Sequence, residues 1–263
     1  DNEPCNRTGQ KMNVKKTKAR IFTGSGLAPG GAVVLSCAQA HYLRDVMRAG
    51  PGDGVKVFNG RDGEWLATVE RIGKGKGVLR LEKCTALQRE EPGPWLLFAP
   101  LKKTPMDFLI EKATELGGAV LRPVFTEFTA VRRVNAERMR AGAVEASEQC
   151  GRLSVPEIKE PLPLEKALKD WPGKRRLFVM DETGAGSPLK EALESEAWEG
   201  QPPPGFLSGP EGGFSTSELD ALSNLAFVSR IGMGPRILRA ETAALAALAC
   251  WQAFAGDWNK TVS

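Results

Sequence analysis

The chain has 263 residues, of which 41% are hydrophobic and 26% are charged, and its formal net charge is +4; these values are typical of a globular protein and exclude a disordered or fibrous one. No apolar run approaches the ~20 residues that a membrane-spanning helix needs. The single histidine excludes mechanisms that use several histidines, including most catalytic zinc sites, and leaves the chemistry to arginine, carboxylate, hydroxyl and backbone groups.

The first 18 residues contain five Lys or Arg and two Asp or Glu, and they lack the apolar core of a signal peptide. We predict that they form a flexible lead-in. The five cysteines are widely spaced and include no CxxC pair, which favours free thiols over a disulfide framework or a zinc ribbon. Free thiols suit a reducing compartment, so we expect a cytoplasmic protein without a membrane partner.

Residues 19–90 are predicted to form a small β-rich domain. Short strands alternate with glycine-containing turns, and the segments Asn59–Gly63 and Gly73–Gly77 have the composition of hairpin turns. One helix is predicted over Ala38–Arg48. Strands at this spacing favour a small barrel. The predicted strands are Ala32–Leu35, Val55–Phe58, Glu64–Ile72 and Val78–Leu81.

A charged stretch that ends in Pro92–Pro94 separates this domain from a second one, residues 91–263. Short apolar strands alternate with helices there, which is typical of an α/β layer with a mostly parallel sheet. Thr104 as N-cap and Pro105 as first helical residue predict where the first of these helices begins. The predicted strands are Trp95–Ala99, Val120–Phe125, Leu177–Met180, Phe206–Ser208 and Phe227–Ile231, and the later helices are Asn135–Cys150 and Leu238–Phe254.

The first candidate ligand loop, LSGPEGGFS, begins in the strand at 206–208 and ends where Ser215 and Glu218 predict the capping box of the next helix. Its three glycines let the backbone bend and bring N–H groups close to a ligand. The loop is not a P-loop, because no Lys-Ser/Thr pair follows the glycines. Taken alone, this loop also fits an ordinary strand-to-helix turn.

The second candidate loop, IGMGPRILRAETA, again leads from a strand into a helix. Arg236 and Arg239 near the helix start oppose the helix dipole, which indicates another duty, such as holding a phosphate, a carboxylate or Glu241. A structural Arg–Glu network is the alternative. Two such loops at the carboxyl ends of parallel strands predict a ligand crevice.

Three motifs in this order resemble the SPOUT superfamily of RNA methyltransferases: EQCGR at Glu148–Arg152 with VPEI just after it, GPEGG at Gly209–Gly213, and GPRILRAETA at Gly234–Ala243. Together they resemble the RsmE family, which methylates N3 of a uridine in 16S ribosomal RNA with S-adenosylmethionine. The resemblance covers residues 19–256. It implies a homodimer in which residues 19–90 form a PUA-like RNA-binding β-barrel and residues 91–263 form a SPOUT α/β domain with a deep trefoil knot.

The resemblance also implies the site residues. Arg152, Arg236 and Glu241 belong to motifs that face the catalytic crevice in such enzymes. Uridine N3 must lose its proton before or during methylation, so we expect Glu241 to accept it, with Glu211 as the competing base, and one of the arginines to stabilise the uracil oxyanion. Cofactor binding is expected at Leu207, Gly209, Gly212, Gly213, Ile231, Gly234, Ile237 and Leu238, with Leu207, Ile231 and Leu238 bordering the adenine. The chemistry needs no metal.

Charge is unevenly distributed, which bears on the RNA partner. Residues 1–90 carry 16 Lys or Arg against 9 Asp or Glu, whereas residues 91–263 carry 20 against 23. We expect RNA on the basic run of the second domain and not on the acidic segment 181–199; a solvated helix face is the alternative interpretation of that run. It consists of Arg122, Arg132, Arg133, Arg138 and Arg140.

The predicted RNA partner is 16S ribosomal RNA, either free or in the assembled small subunit. Two other hypotheses stay open at this point. The same cofactor could serve a different RNA site, such as a ribose 2′-hydroxyl or a tRNA base. Alternatively, the chain could be a non-catalytic RNA-binding protein with a barrel and an assembly domain.

Overall fold

A computed structural model describes residues 15–259, which divide into two compact units. The first unit holds the described residues up to Glu90 together with Glu148–Ser154, and the second holds Glu91–Ser147 and the residues from Val155 onward. The segment Glu148–Ser154 therefore packs with the first unit, although the sequence predicted an unbroken second domain over residues 91–263.

The first unit is built on a five-stranded sheet with the strand order β1-β3-β4-β5-β2. Strands β1 and β3 run parallel, and the other neighbours are antiparallel. Alternating apolar side chains fill one core, in which Val33, Val55 and Leu79 are fully buried. The strands are β1 (Thr17–Phe22), β2 (Ala32–Val34), β3 (Gly54–Phe58), β4 (Glu64–Gly73) and β5 (Lys76–Ala86).

Strand β1 corrects the predicted lead-in. Thr17 pairs with Gly54 and Arg20 with Lys56, so residues 17 and 18 of the predicted lead-in belong to a strand. Ile21 is the one fully buried residue of β1, so the strand shows no clear alternation of buried and exposed positions. Residues 1–14 of the predicted lead-in lie outside the described residues.

Both predicted hairpin turns are confirmed, because β3–β4 and β4–β5 are antiparallel neighbours joined at those segments. The predicted helix is present but differs in form. Helix α1 (Cys37–His41) begins at a capping box between Ser36 and Gln39 and continues as a π-helical turn over Tyr42–Val46. The Ser36 cap explains why the helix begins one residue earlier than predicted.

The second unit contains a mainly parallel sheet with the strand order β11-β13-β10-β12-β6-β7-β8, in which β9 also pairs with β7. This confirms the α/β fold with a parallel sheet. The strands are β6 (Trp95–Phe98), β7 (Val120–Phe125), β8 (Glu157–Ile158), β9 (Leu162–Pro163), β10 (Leu177–Met180), β11 (Ser187–Pro188), β12 (Gly205–Ser208) and β13 (Val228–Gly232).

Helices cover this sheet in two groups with separate cores. One core packs side chains of α2, α3, α5 and α7 against the sheet, and includes Phe206. The other packs α4 and α6 and includes Leu207, because successive side chains of a strand point to opposite faces. The helices are α2 (Lys103–Glu115), α3 (Ala136–Cys150), α4 (Leu164–Lys169), α5 (Leu189–Glu194), α6 (Thr216–Ser223) and α7 (Ala240–Phe254).

Two predicted helix starts are wrong. Helix α2 has Lys102 as its N-cap, not Thr104, so Pro105 occupies the third helical position. Proline is tolerated there because the N–H groups of the first helical turn have no intrahelical acceptor. Helix α7 begins at Ala240 with Arg239 as N-cap, two residues later than predicted. From residue 15 to residue 259, no helix is both long and apolar enough to cross a membrane.

Candidate active site

Three parallel strands bring the two candidate loops to one edge of the second unit. Strands β12 and β13 lie on either side of β10, with Leu207 opposite Val179 and Ile231 opposite Met180. Because the strands are parallel, their carboxyl ends meet at the same edge, where α/β sheets bind ligands. Leu207 and Ile231 are fully buried in separate cores, so only their backbone atoms are left to face a ligand.

The loop after β12 depends on a glycine at position 213. Gly213 has φ +71° and is buried, and a Cβ at this position would overlap the carboxylate of Glu182. The N–H of Gly213 donates to the Pro210 carbonyl at 2.9 Å, which closes the turn. Burial, reinforced by the nearby Asp181 charge, raises the pKa of Glu182. The left-handed φ of Gly213 favours glycine at this position.

Glu218 joins this loop to a second one. The predicted capping box is confirmed: the N–H of Glu218 donates to Ser215 Oγ at 3.3 Å, and the N–H of Ser215 donates to Glu218 Oε2 at 3.0 Å. The other oxygen, Oε1, accepts from the N–H of Glu127 at 2.9 Å. A Cβ on Gly212 would lie 3.3 Å from Cβ of Phe128, so the loop after β7 packs beside the GPEGG loop.

We expect Glu218→Ala to lower the free energy of unfolding by about 1–2 kcal/mol, because both the helix cap and the bond to Glu127 are lost. Urea unfolding measures this. Glu191→Ala is the matched control, since Glu191 occupies the same helical position in α5, where no side-chain cap is present. Equal effects of the two substitutions would contradict a bridging role for Glu218.

The loop after β13 is open and exposed. Gly234 has φ +89°, and nothing lies within 4 Å of its Cβ position. Ile237 is 89% exposed, whereas Leu238 packs partly against the core. Arg236 is exposed in the loop and precedes the helix by four residues, so it does not sit in the first helical turn as the sequence predicted.

One hydrogen bond ties the two loops together. Ser208, the last residue of β12, donates from Oγ to the carbonyl of Ala240 at 3.0 Å. Ala240 is the first residue of α7, and the half-buried Glu241 follows it. The first turn of α7 is therefore held at the carboxyl end of β12, where the GPEGG loop begins.

A third loop at the same edge was missed at the sequence level. After β10, residues Asp181–Gly186 lead into β11, which pairs with Ile231 and Gly232. The Gly186 Cβ position lies 2.6 to 2.8 Å from backbone atoms of Ile231. Asp181 Oδ2 accepts from Nε of Arg230 at 2.8 Å, and its Oδ1 accepts from the N–H of Thr183. The run Asp-Glu-Thr-Gly directly after a buried strand was the sequence feature that could have indicated this loop.

Asp181 makes the third loop sensitive to acid. Burial alone would raise its pKa, but hydrogen bonds from Thr183 and Arg230 outweigh burial, and the pKa lies below its ordinary value of 3.8. A carboxyl with a lowered folded-state pKa stabilises the protein fully above its ordinary value, and this stabilisation is lost as the pH falls through the lower folded value.

We expect Asp181→Asn to reduce the free energy of unfolding by about 1–3 kcal/mol at neutral pH, and the difference from the wild type to shrink as the pH falls below 3.8. Urea unfolding over this pH range measures it. The exposed Asp220 on α6 provides the control Asp220→Asn, for which little change is expected. A difference that stays constant with pH would rule out the ionised Asp181 as its cause.

The three predicted catalytic residues divide between the two units. Arg236 and Glu241 belong to the second unit, whereas Arg152 lies in the segment Glu148–Ser154 of the first. Arg152 is half-buried, and its Nη2 donates to Ser154 Oγ at 3.1 Å. Among residues 15–259, no three His, Cys, Asp or Glu side chains come close enough together to hold a metal ion.

The predicted basic run is only partly available to a polyanion. Arg138 forms an ion pair with Asp107, to which its Nε donates at 2.8 Å, and Arg122 is half-buried on β7. Arg132, Arg133 and Arg140 are exposed. The pairing with Asp107 was missed because α2 and α3 are separated by a whole strand in the sequence.

Two family models match the chain. A model of the RNA methyltransferase domain matches residues 89–252, and a model of the RNA methyltransferase PUA domain matches residues 36–82. Ribosomal RNA small subunit methyltransferase E of Rickettsia conorii is 32% identical over 231 residues, which cover 88% of this chain and 93% of that protein. The protein of the same name from Synechocystis is 32% identical over 221 residues, covering 82% and 71%.

Solved structures agree with this match. The ribosomal RNA small subunit methyltransferase E of Neisseria gonorrhoeae, bound to S-adenosyl methionine, superposes with a TM-score of 0.81 at 25% identity and covers 92% of this chain and 99% of that one. A chain from Legionella pneumophila with the cofactor SAM bound gives a TM-score of 0.80 at 28% identity, covering 90% and 97%.

Proposed function

The chain belongs to the ribosomal RNA small subunit methyltransferase E family, and on this premise we propose that it transfers a methyl group from S-adenosylmethionine to N3 of a uridine in 16S ribosomal RNA. One observation carries the assignment of the site. The Ser208–Ala240 hydrogen bond unites the GPEGG loop and the start of α7 at the carboxyl edge of a parallel sheet, where ligands bind in such folds.

The loops at this edge fit the cofactor. Gly213 lets the GPEGG backbone turn at the edge where the cofactor is assigned. Gly234 leaves the space of a side chain open in the second loop. Ile237 offers an exposed apolar surface for the adenine, while Leu207, Ile231 and Leu238 contribute backbone at its border. Bound S-adenosylmethionine supplies an electrophilic methyl group. The full set that we assign to cofactor binding is Leu207, Gly209, Gly212, Gly213, Ile231, Gly234, Ile237 and Leu238.

Residues of this chain accept the N3 proton of the uridine and stabilise the negative charge on its oxygens. Glu241 accepts the N3 proton of the uridine on a carboxylate oxygen, so that the nitrogen lone pair is free to attack. An arginine, Arg152 or Arg236, donates hydrogen bonds to the uracil oxygens, on which negative charge develops as the proton leaves. Glu211, exposed in the GPEGG loop, is the competing base.

The two units receive different roles. The first, matched by the PUA model, closes into a PUA-like β-barrel that binds RNA, and the second is a SPOUT domain with a deep trefoil knot. The parallel sheet of the second unit and the RNA methyltransferase model that matches residues 89–252 support the SPOUT assignment. Within the second unit, the exposed Arg132, Arg133 and Arg140 are assigned to RNA phosphates.

We further assign a homodimer and a cytoplasmic location. Phe108 on α2, Phe254 on α7 and Trp258 just after it are large apolar side chains between 43% and 59% exposed, which suits a surface that a second copy covers. The cytoplasm is the compartment of the proposed substrate, 16S ribosomal RNA, whether free or in the small subunit.

Cofactor binding and methyl transfer test the proposal in two steps. Calorimetry should show binding of S-adenosylmethionine, which a non-catalytic RNA-binding protein would lack. Purified protein incubated with methyl-labelled S-adenosylmethionine should then label 16S RNA from a strain that lacks the enzyme. Label on a ribose 2′-hydroxyl or on tRNA instead would replace the proposed substrate atom while keeping the cofactor.

A further inference from the structure

Arg20 on β1 is held by a carboxylate, an aromatic ring and backbone carbonyls of the first unit. Its Nε donates to Glu64 Oε2 at 2.7 Å, and its guanidinium lies over the Phe58 ring with 3.7 Å between Cζ and the ring centroid. Its Nη2 donates to the carbonyl of Arg152 at 2.6 Å and lies 3.4 Å from that of Gly151. An arginine so surrounded has little freedom to move.

The partners of Arg20 are themselves fixed. Glu64 is buried at the start of β4, where Lys56 lies 2.8 Å from Oε1 and Thr85 donates to the same oxygen at 2.9 Å. Arg20 and Lys56 are register neighbours on β1 and β3. The side chain of Arg20 is 11% exposed and that of Glu64 is 9% exposed, so solvent screens this ion pair less than it screens one on the surface.

The segment Glu148–Ser154 is attached to β1 at a second point. The N–H of Phe22 donates to Glu148 Oε1 at 2.8 Å, two residues along the strand from Arg20. Gly151, at the attachment to Arg20, has φ +84°, a left-handed conformation that favours glycine. The EQCGR motif therefore runs along β1 with its side-chain and backbone oxygens bound to that strand.

We propose that Arg20 is a positioning residue for methyl transfer: by binding the Gly151 and Arg152 carbonyls to the Glu64-anchored edge of the first unit's sheet, it sets where the Arg152 guanidinium stands. This inference rests on the proposed function, and of its two candidate arginines it takes Arg152 as the one that stabilises the uracil oxyanion. Arg20 acts through the backbone of Arg152 and not on the RNA itself, so its removal should alter the rate of the chemical step and not the affinity for either substrate.

The test compares steady-state kinetics on 16S RNA for the wild type, Arg20→Ala, Arg152→Ala and the double variant. Arg20→Ala should lower kcat by about 10- to 100-fold, since small displacements of a catalytic group have effects of this size. KM for RNA and Kd for S-adenosylmethionine should stay within about twofold of the wild type, because Arg20 contacts neither substrate in the proposed role. The double variant should be no slower than Arg152→Ala alone, because the two residues act as a unit.

Two further variants keep the test decisive. Arg80→Ala is the control, since Arg80 forms an exposed ion pair with Glu70 in the same unit, and wild-type kinetics are expected. If Arg20→Ala does not fold, Arg20→Lys serves instead. A lysine ammonium lacks the planar guanidinium that donates to Glu64 and to the Arg152 carbonyl at the same time. Arg20→Lys should therefore lower kcat by about tenfold, a smaller loss than that of Arg20→Ala.

Three results would overturn the inference: a variant of Arg20 with wild-type kcat, a rise in KM for RNA alone, or losses that multiply in the double variant. A rise in KM alone would identify Arg20 as an RNA phosphate contact. A wild-type enzyme that transfers no methyl group to 16S RNA would instead refute the proposed function, and the inference would fall with it.

Discussion

Replacing Gly186 by alanine is expected to weaken S-adenosylmethionine binding by a factor of about 30 or more, corresponding to roughly 2 kcal/mol. A Cβ at Gly186 would lie 2.6 Å from the carbonyl carbon, 2.7 Å from the nitrogen and 2.8 Å from the Cα of Ile231. These are backbone atoms inside a parallel ladder, and they cannot rotate away as a side chain can. The substitution must therefore push β11 away from β13, next to the loop assigned to the cofactor.

Calorimetric titration with S-adenosylmethionine measures the effect, and thermal unfolding shows whether the variant still folds. Gly184→Ala is the matched control in the same loop. Gly184 has φ +81°, but nothing lies within 4 Å of its Cβ position, so alanine there introduces backbone strain without a clash. Equal affinity losses at positions 184 and 186 would mean that the packing of Gly186 on Ile231 is not what supports the cofactor loop.

Replacing Glu241 by glutamine is expected to lower kcat by about 10²- to 10⁴-fold, the range that a positioned general base contributes. Glutamine keeps the size and the hydrogen-bonding capacity of the side chain but cannot accept the uridine N3 proton. The first turn of α7 is held by the Ser208–Ala240 bond through the backbone, which this substitution leaves in place. Affinity for S-adenosylmethionine should therefore change by less than about twofold.

Single-turnover methylation of 16S RNA measures the chemical step for this variant, and calorimetry measures its cofactor affinity. Glu211→Gln is the comparison, because Glu211 is the other carboxylate in the two loops and is exposed. We expect this variant to retain most of its activity. Near-wild-type turnover of Glu241→Gln together with an inactive Glu211→Gln would transfer the proton-accepting role to Glu211.

Strong local patterns allowed much of the second unit to be predicted. The bounds of β7 and β10 match the prediction, because both are short apolar runs between turn residues. The capping box of α6 was correct because Ser215 and Glu218 satisfy each other within one helical turn. The two glycine-containing loops could be placed at one edge because strand-to-helix connections in a parallel sheet all emerge at the same side.

Features that depend on distant partners could not be predicted. Strand β1 has a single fully buried residue, Ile21, and its position depends on pairing with β3. Helix α2 begins at Lys103 with Lys102 as its N-cap, although Thr104 is the better capping residue. The contact of Arg20 with Arg152 spans 132 positions, and no local sequence pattern reports a contact of that separation.

The third loop shows the same limit for the site itself. The sequence does not distinguish Gly184 from Gly186, which lie in the same loop. Of the two, only Gly186 packs against the backbone of another strand. The difference comes from the pairing of β11 with β13, a contact between segments more than 40 positions apart. The position of Gly186 against Ile231 could be recognised only when the strand order was known.

The most direct test maps the methylated atom. 16S RNA from a strain that lacks this enzyme is treated with the purified protein and S-adenosylmethionine, digested to nucleosides and fragments, and analysed by mass spectrometry against an authentic 3-methyluridine standard. We predict one new 3-methyluridine in the treated RNA, and none when Glu241→Gln is used over the same time. Treated RNA without 3-methyluridine, or with the methyl group on a ribose or on another base, would contradict the assignment of this protein as a uridine-N3 methyltransferase.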